Sequence, residues 1–380
     1  MKIIIAPDSF KGSISARALC ASIKEGIARV FPQAETVELP LADGGEGTME
    51  NLVYASRGTK VDVTVTGPLG KPVRAAYGVL GDGRTVVIEM AQASGLPLVP
   101  PEERNPLVTT TYGTGELIAH ALDAGYRRFI VALGGSATND GGAGMMQALG
   151  LALLDAQGRP LPPGGAALKQ LHRIDASGLD ARLKESAFEV ACDVSNPLCG
   201  PQGASAVFGP QKGATPEMVA VLDEALRHYG ECIRRERGID VIDAPGAGAA
   251  GGMGAALLGF LNARMRSGID MVLEAVGWTN HLAGANLIIT GEGKLDEQTL
   301  SGKVIAGVCR TARERGVPVA ALCGAMALTG ADMDRLGLSC AFSIVKGPCR
   351  LEDAMRLAPE WAADQAEQMM RMLRLSGVFG

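Results

Sequence analysis

The chain has 380 residues, 47% of them apolar and 4% aromatic, and carries a formal net charge of −5. That length gives room for about two to three domains, and the apolar share for a sizeable core. The acidic balance leaves no global basic field for nucleic acid or a membrane surface, and the scarcity of aromatics leaves no base-stacking platform. Eight cysteines are scattered without a C-x-x-C, and the four histidines stand far apart, so neither a zinc site nor a disulfide framework is indicated. Reduced thiols in a cytoplasmic protein are expected. Met1–Ile5 ends at Pro7-Asp8, far short of a secretory apolar region, and no run of about 18 apolar residues could span a membrane.

Lys2–Ala6 reads as a buried strand. The loop Pro7–Ser13 follows, with Ser9, Lys11 and Ser13. A helix then places Leu19, Ile23, Ile27 and Val30 on one face, with Ser15 as N-cap. A lysine between a strand end and a helix start can hold phosphate, because the helix N–H groups and dipole favour an anion; an ordinary βα turn reads the same way. Thr36–Leu39 is a second strand, and the acidic, glycine-rich Leu41–Thr48 after it offers Asp43 and Glu46 as ligands. Near Thr59 the pattern changes. Val61, Val63 and Val65 alternate with polar residues, and Gly67-Pro68 and Gly81–Gly83 separate three such runs, which predicts an antiparallel meander and a domain boundary.

Helical periodicity returns at Thr114–Ala124, then the strand Phe129–Leu133, then Gly134–Gly144. In that loop Gly134, Gly135, Ser136, Thr138, Asn139 and Asp140 are the small and polar residues suited to wrap a phosphate with N–H groups and hydroxyls. Phe188–Cys192 is a further strand ending in Asp193. No charged residue follows Asp193 for five positions, so an apolar setting that raises its pKa is expected. Lys212 precedes a long helix opened by Thr215 and Pro216. Gly246–Gly251 matches G-x-G-x-x-G, but no apolar strand precedes it, so a small-residue helix packed closely on a neighbour is the better reading.

Strand–helix alternation resumes with Asn286–Thr290, the loop Thr290–Lys303 and a helix from Ser301 to about Arg315. Within that loop Glu292 and Asp296 can hold a metal, Lys294 and Lys303 a phosphate, and Gly291 and Gly293 let backbone N–H groups approach an anion. Strands Val317–Leu322 and Cys340–Val345 and a terminal helix Leu351–Leu373 close the chain. The expected class is α/β: a split Rossmann-like or flavodoxin-like parallel-sheet domain from residues 1–61 and 283–380, with a large mixed-sheet α/β domain inserted at 62–282.

These motifs together resemble the bacterial type-1 glycerate kinases over essentially the whole chain. The residues that carry the resemblance are Ala6–Ser13, Ala42–Thr48, Ala132–Gly144, Cys192–Asn196, Phe208–Gly213, Gly246–Gly254 and Gly291–Lys303, with Lys294 where that family more often has arginine. The resemblance implies transfer of a phosphoryl group from ATP, with Mg²⁺, to glycerate, in a cleft between the two domains. D-glycerate giving 2-phosphoglycerate, in glyoxylate-, glucarate- or galactarate-type catabolism, is the expected reaction; phosphorylation at the 3-hydroxyl is the alternative. An NAD-dependent hydroxyacid dehydrogenase, resting on Gly246–Gly251, is the remote rival. The chain lacks G-x-x-x-x-G-K-[ST] and the protein-kinase motifs, so phosphates are held in another way. In this reading Lys11, Lys212 and Lys303, with the loops at Gly134–Gly144 and Gly291–Gly293, hold phosphates and the glycerate carboxylate. Asp43, Glu292 and Asp296 hold Mg²⁺, and Asp193 is the base, with Asp296 its competitor. The partners are small molecules, and a homodimer is allowed but not specified.

Overall fold

The computed structural model describes residues 1–301, 303–375 and 377. The chain divides into two compact units. One comprises Met1–Asp43, Glu50–Ser56 and Ile269–Gly380, the other Gly44–Met49 and Arg57–Gly268. The return to the first unit thus falls at Ile269 rather than at residue 283, and the first crossing lies inside the Asp43–Thr48 motif.

The first unit is built on a five-stranded parallel sheet. Leu287–Leu295 is its central strand; Lys2–Ile5 lies between it and the edge strand Glu35–Glu38, and Val319–Met326 and Cys340–Ser343 extend the sheet on the other side. Counted within this unit, the order is 2-1-3-4-5, that of the flavodoxin-like doubly wound fold. Ile3, Ile4 and Ile5 are all fully buried, so both faces are covered, as a parallel sheet requires. Each such burial contributes about 1.5–3 kcal/mol. Helices Ala16–Ala28 and Leu351–Leu375 share the core on one face, where Leu19, Ile23 and Ile27 meet Trp361, Ala362 and Met369. A Cβ on Gly26 would stand 2.1 Å from the Ala363 carbonyl oxygen, so the close approach of these two helices requires glycine there. Ser15 caps the first of them, its hydroxyl accepting from Ala18 N.

One strand is longer than its sequence suggests. Leu287–Leu295 runs straight through Gly291-Glu292-Gly293-Lys294, pairing Gly291 with Leu322, Glu292 with Cys323 and Leu295 with Met326. Those residues are strand, not loop. A 3-10 turn, Thr299–Ser301, and the helix Val304–Arg313 follow; Gly302, part of the same motif, lies outside the described residues.

The second unit holds a six-stranded mixed sheet. Arg264–Arg266, Ala187–Ala191, Arg128–Ala132 and Thr85–Glu89 are parallel neighbours in that order, and Pro72–Val79 and Thr59–Thr66 continue antiparallel. The three alternating runs therefore form the expected meander. Pro216–Arg237 is capped by Thr215 and stopped by Gly238 in the left-handed region. The glycines at 246–254 form no dinucleotide turn, for no strand precedes them. Ala249–Leu261 is a helix broken near its start by left-handed Ala250, Gly251 and Gly252. A Cβ on Gly251 would lie 2.0 Å from the Thr138 carbonyl oxygen. Close backbone packing accounts for Gly248, Gly251 and Gly254. Among the described residues no helix is long and apolar enough to cross a membrane.

Candidate active site

In a 2-1-3-4-5 sheet the chain leaves the first and third strands in opposite directions, which opens a crevice at their carboxyl ends. In the first unit those strands are Lys2–Ile5 and Leu287–Leu295, and a cavity of about 550 Å³ lies beyond them. Its polar end is lined by Asp8, Ser9, Lys11, Asp43, Glu292, Lys294, Asp296 and Lys303.

Asp8 follows the first strand, and its N–H donates to the Gly291 carbonyl at 2.8 Å, which ties the loop to the neighbouring strand. Its carboxylate accepts from Ser9 N at 2.6 Å and is only 8% exposed. Burial, and next the charge of Asp43, push Asp8 up to about 7. Phe10 and Ile14 exchange backbone hydrogen bonds across a tight turn that needs Gly12 at φ 75°. Lys11 sits at the tip of that turn, exposed and facing the cavity. Ser13 also lines the cavity, but its hydroxyl donates to the Met355 carbonyl at 2.8 Å, so that group is committed to the C-terminal helix.

Glu292 is buried, and desolvation pushes it up to about 6 against the pull of a hydrogen bond from Thr299 Oγ1 and of the Lys303 charge. Asp296 is held below the usual carboxylate range, chiefly by Lys294 Nζ at 3.1 Å. Lys303 donates to Gln298 Oε1 at 3.0 Å. Gly291 and Gly293 do not form an open anion loop. A Cβ on Gly291 would stand 2.2 Å from the Leu322 carbonyl oxygen, so this glycine serves strand packing. Among the described residues no three carboxylates, histidines or cysteines are grouped closely enough to hold a metal unaided, so Asp43, Glu292 and Asp296 do not form a ready-made cage.

In the second unit the glycine-rich loop is closed on itself. Gly135 is exposed and Gly134 half-buried, but Thr138, Asn139 and Asp140 have no exposure and Ser136 has 8%. Asp140 accepts from Thr111 N and Oγ1, Gly142 N and Gly144 N. Burial raises its pKa and those donors lower it, burial prevailing. Asn139 Nδ2 donates to Ser205 Oγ. Lys212 is 1% exposed, and its ammonium donates to Ser136 Oγ at 2.8 Å and Thr138 O at 2.7 Å. The expected phosphate lysine is thus a buried tie for this loop, and burial pulls its pKa down to about 7.

Asp193 is exposed, with Oδ1 accepting from Gly268 N at 2.8 Å; it is not in the apolar setting expected. Glu189, its charged neighbour along the strand, pairs with Arg266 at 3.0 Å. Glu46, also in this unit, is exposed.

Two acids stand out that motif reading passed over. Asp8 belongs to the cavity. Glu89 is 1% exposed and accepts from Gly47 N and Met49 N, each at 3.1 Å, which fixes the loop after Asp43. The signal for both was available: each is an acid at the carboxyl end of an apolar strand run, Ile3–Ala6 or Val86–Ile88.

The family model of the glycerate kinase family matches residues 3–374. A glycerate kinase of Bacillus subtilis (strain 168) is 53% identical over 99% of this chain and 98% of its own. A glycerate 2-kinase of Escherichia coli (strain K12) is 50% identical over 94% of this chain and 93% of its own. A crystal structure of a protein described as glycerate kinase 2, from Salmonella typhimurium LT2, superposes with a TM-score of 0.89 at 52% identity, covering 99% of each chain.

Proposed function

The chain belongs to the glycerate kinase family, and on that premise we propose that it transfers the γ-phosphoryl group of ATP to the 2-hydroxyl of D-glycerate, giving 2-phosphoglycerate and ADP. The observation that carries this reading is the cavity at the switch point, where three lysines and four carboxylates converge. The 2-hydroxyl is preferred because the Escherichia coli relative carries the name glycerate 2-kinase.

Phosphoryl transfer is mostly positioning and charge stabilisation. With every group ionised, the three lysines and four carboxylates of the lining sum to −1, which repels a triphosphate. A divalent cation reverses that sign. The hard oxygen donors of Asp43, Glu292 and Asp296 fit Mg²⁺, which keeps several waters and needs only one or two carboxylates besides the phosphates. Mg²⁺ bound there would neutralise phosphate oxygens. Lys11 and Lys303 hold the transferring phosphoryl group by charge-assisted hydrogen bonds.

The glycerate oxygen bonds to the γ-phosphorus as the bond from that phosphorus to the β–γ bridging oxygen breaks. The electron pair leaves on ADP, and the hydroxyl proton passes to Asp8. A carboxylate pushed up to about 7 is matched to that task near neutral pH. Asp193 is the second reading for the base, favoured by its exposed place past the carboxyl end of the strand Ala187–Ala191. Operation in the cytoplasm, in organic-acid catabolism, is part of the same proposal. Phosphorus NMR of a reaction with ATP, Mg²⁺ and D-glycerate tests it. A 2-phosphoglycerate resonance is expected. 3-Phosphoglycerate would move the acceptor to the primary hydroxyl, and absence of turnover would overturn the reading.

A further inference from the structure

The cavity of the first unit has two chemically different ends. Beyond its lysines and carboxylates it continues across the ends of Val319–Met326 and Cys340–Ser343, under the start of the helix Leu351–Leu375. There its wall is Ile344, Val345, Leu351, Ala354, Met355 and Ala358, without a charged side chain. Leu351 is 74% exposed at this end, an apolar side chain left facing solvent where it borders a cavity.

Length decides what can fill such a space. Three inter-strand steps separate Lys2–Ile5 from Cys340–Ser343, roughly 14 Å at about 4.8 Å each. Glycerate has three carbons, and at about 1.5 Å per bond it spans about one step. It cannot occupy both ends. The volume, about 550 Å³, is that of a site for a larger small molecule, anionic at one end and apolar at the other. A nucleoside triphosphate has that shape and that order of chemistry.

We propose that the apolar end of this cavity takes the adenine ring of the donor nucleotide, between Val345 and the Leu351–Ala358 turns, with the phosphates directed toward Lys11 and Lys303. The first unit is then the donor unit. Met355 suits a flat ring: it is unbranched, and its thioether makes favourable contacts with aromatic faces and edges. It is also held in place, because its carbonyl accepts from Ser13 Oγ and its Cε lies 3.3 Å from where a Cβ on Gly12 would stand. The residues at the tip of the Lys11 turn therefore fix both the phosphate lysine and one wall of the base pocket. This inference rests on the kinase reading.

The test uses the full-length protein and the variant Ala354→Trp, which fills the apolar end from a half-buried helix position. Calorimetric titration with ADP, AMP and inorganic tripolyphosphate is compared with the KM values for ATP and D-glycerate. The expected result is binding of ADP and AMP weakened by about tenfold or more, a matching rise in the KM for ATP, and tripolyphosphate binding changed by less than about twofold. Unchanged ADP binding in a folded variant, or a rise confined to the KM for D-glycerate, would overturn the assignment. Should Ala354→Trp fail to fold, Leu351→Ala removes only an exposed side chain, and about a threefold weakening of ADP is expected from the lost apolar contact; no change overturns the proposal. If the wild type binds ADP but does not phosphorylate glycerate, the kinase reading fails while the base subsite stands.

Discussion

Lys11 and Lys212 stand in comparable places. Each lies a few residues ahead of a helix capped by a hydroxyl residue, Ser15 in the first unit and Thr215 in the second. Each sits in a short turn marked by glycine or proline. Yet Lys11 is exposed at the tip of its turn, and among the described residues no hydrogen bond or ion pair holds its ammonium. Lys212 is sealed, with donors committed to Ser136 and Thr138. A lysine that meets a ligand needs donors that are free or weakly held, because a ligand has to replace whatever they bind. One that ties a loop commits them, and burial then acts on its protonation. On the proposed reading Lys11 is a binding group and Lys212 a structural one, so substitutions in the two units should separate kinetics from stability.

The largest expected effect tests the cavity side. Asp8→Asn should lower kcat by about 10²–10⁴-fold while leaving the thermal midpoint unchanged or raised, since a buried carboxylate is lost. If Asp193→Asn gives the greater fall, the base belongs to the second unit. Next comes the loop side. Lys212→Ala removes a filled buried volume and two hydrogen bonds, and should destabilise the protein by about 2–5 kcal/mol in urea unfolding. A variant as stable as the wild type would break the comparison. Lys11→Ala, by contrast, should leave stability intact and cost about 1.5–3 kcal/mol in kcat/KM for ATP.

A smaller effect follows from the protonation of Lys212. Its ordinary value is near 10.5, and in the folded chain it is about 7. Between those values the unfolded chain binds a proton that the folded chain does not, so this group makes stability rise with pH across that window. Below about pH 7 both states are protonated and the full cost of burial remains. The slope is at most about 1.4 kcal/mol per pH unit. Urea unfolding of wild type and Lys212→Met from pH 7 to pH 9 isolates it. The wild type should gain on the variant, and parallel curves would show that Lys212 does not titrate in this range.

Much of the architecture is legible because burial writes it in apolar runs. Ile3–Ile5 and Leu287–Ile289 announce covered parallel strands, and the alternation at Val61–Val65 announces a sheet edge. What is hidden depends on residues far apart in the chain. Gly291–Lys294 looks like a loop by composition, yet pairing with Val319–Met326 holds it in the sheet. The partners of Lys212 lie 74 and 76 residues away, and nothing beside it marks it as buried. Nothing beside Asp8 in sequence marks its raised pKa, which comes first from desolvation and then from Asp43, a distant neighbour in the chain.

The smallest effect lies within the cavity itself, where three lysines are not equivalent. Lys294 is 64% exposed in its side chain and paired with Asp296 at 3.1 Å. Its charge is already partly compensated, and a phosphate must compete with that carboxylate. Lys303 is held by Gln298, a neutral amide that offers weaker competition than an ion. Among the described residues Lys11 has no hydrogen-bond or ion-pair partner, and only the longer-range charge of Asp8 acts on it. The order of loss in kcat/KM for ATP should therefore be Lys11→Ala, then Lys303→Ala, then Lys294→Ala, the last by less than about tenfold because exposed ion pairs are well screened. Removing the competitor sharpens the point. Asp296→Asn releases Lys294 toward phosphate but takes away a proposed Mg²⁺ donor, so activity at low Mg²⁺ should fall and recover as Mg²⁺ is raised. In that background Lys294→Ala should cost more than it does in the wild type. An equal cost in both backgrounds would mean that pairing does not restrain Lys294, and that committed donors are not what separates a binding lysine from a structural one.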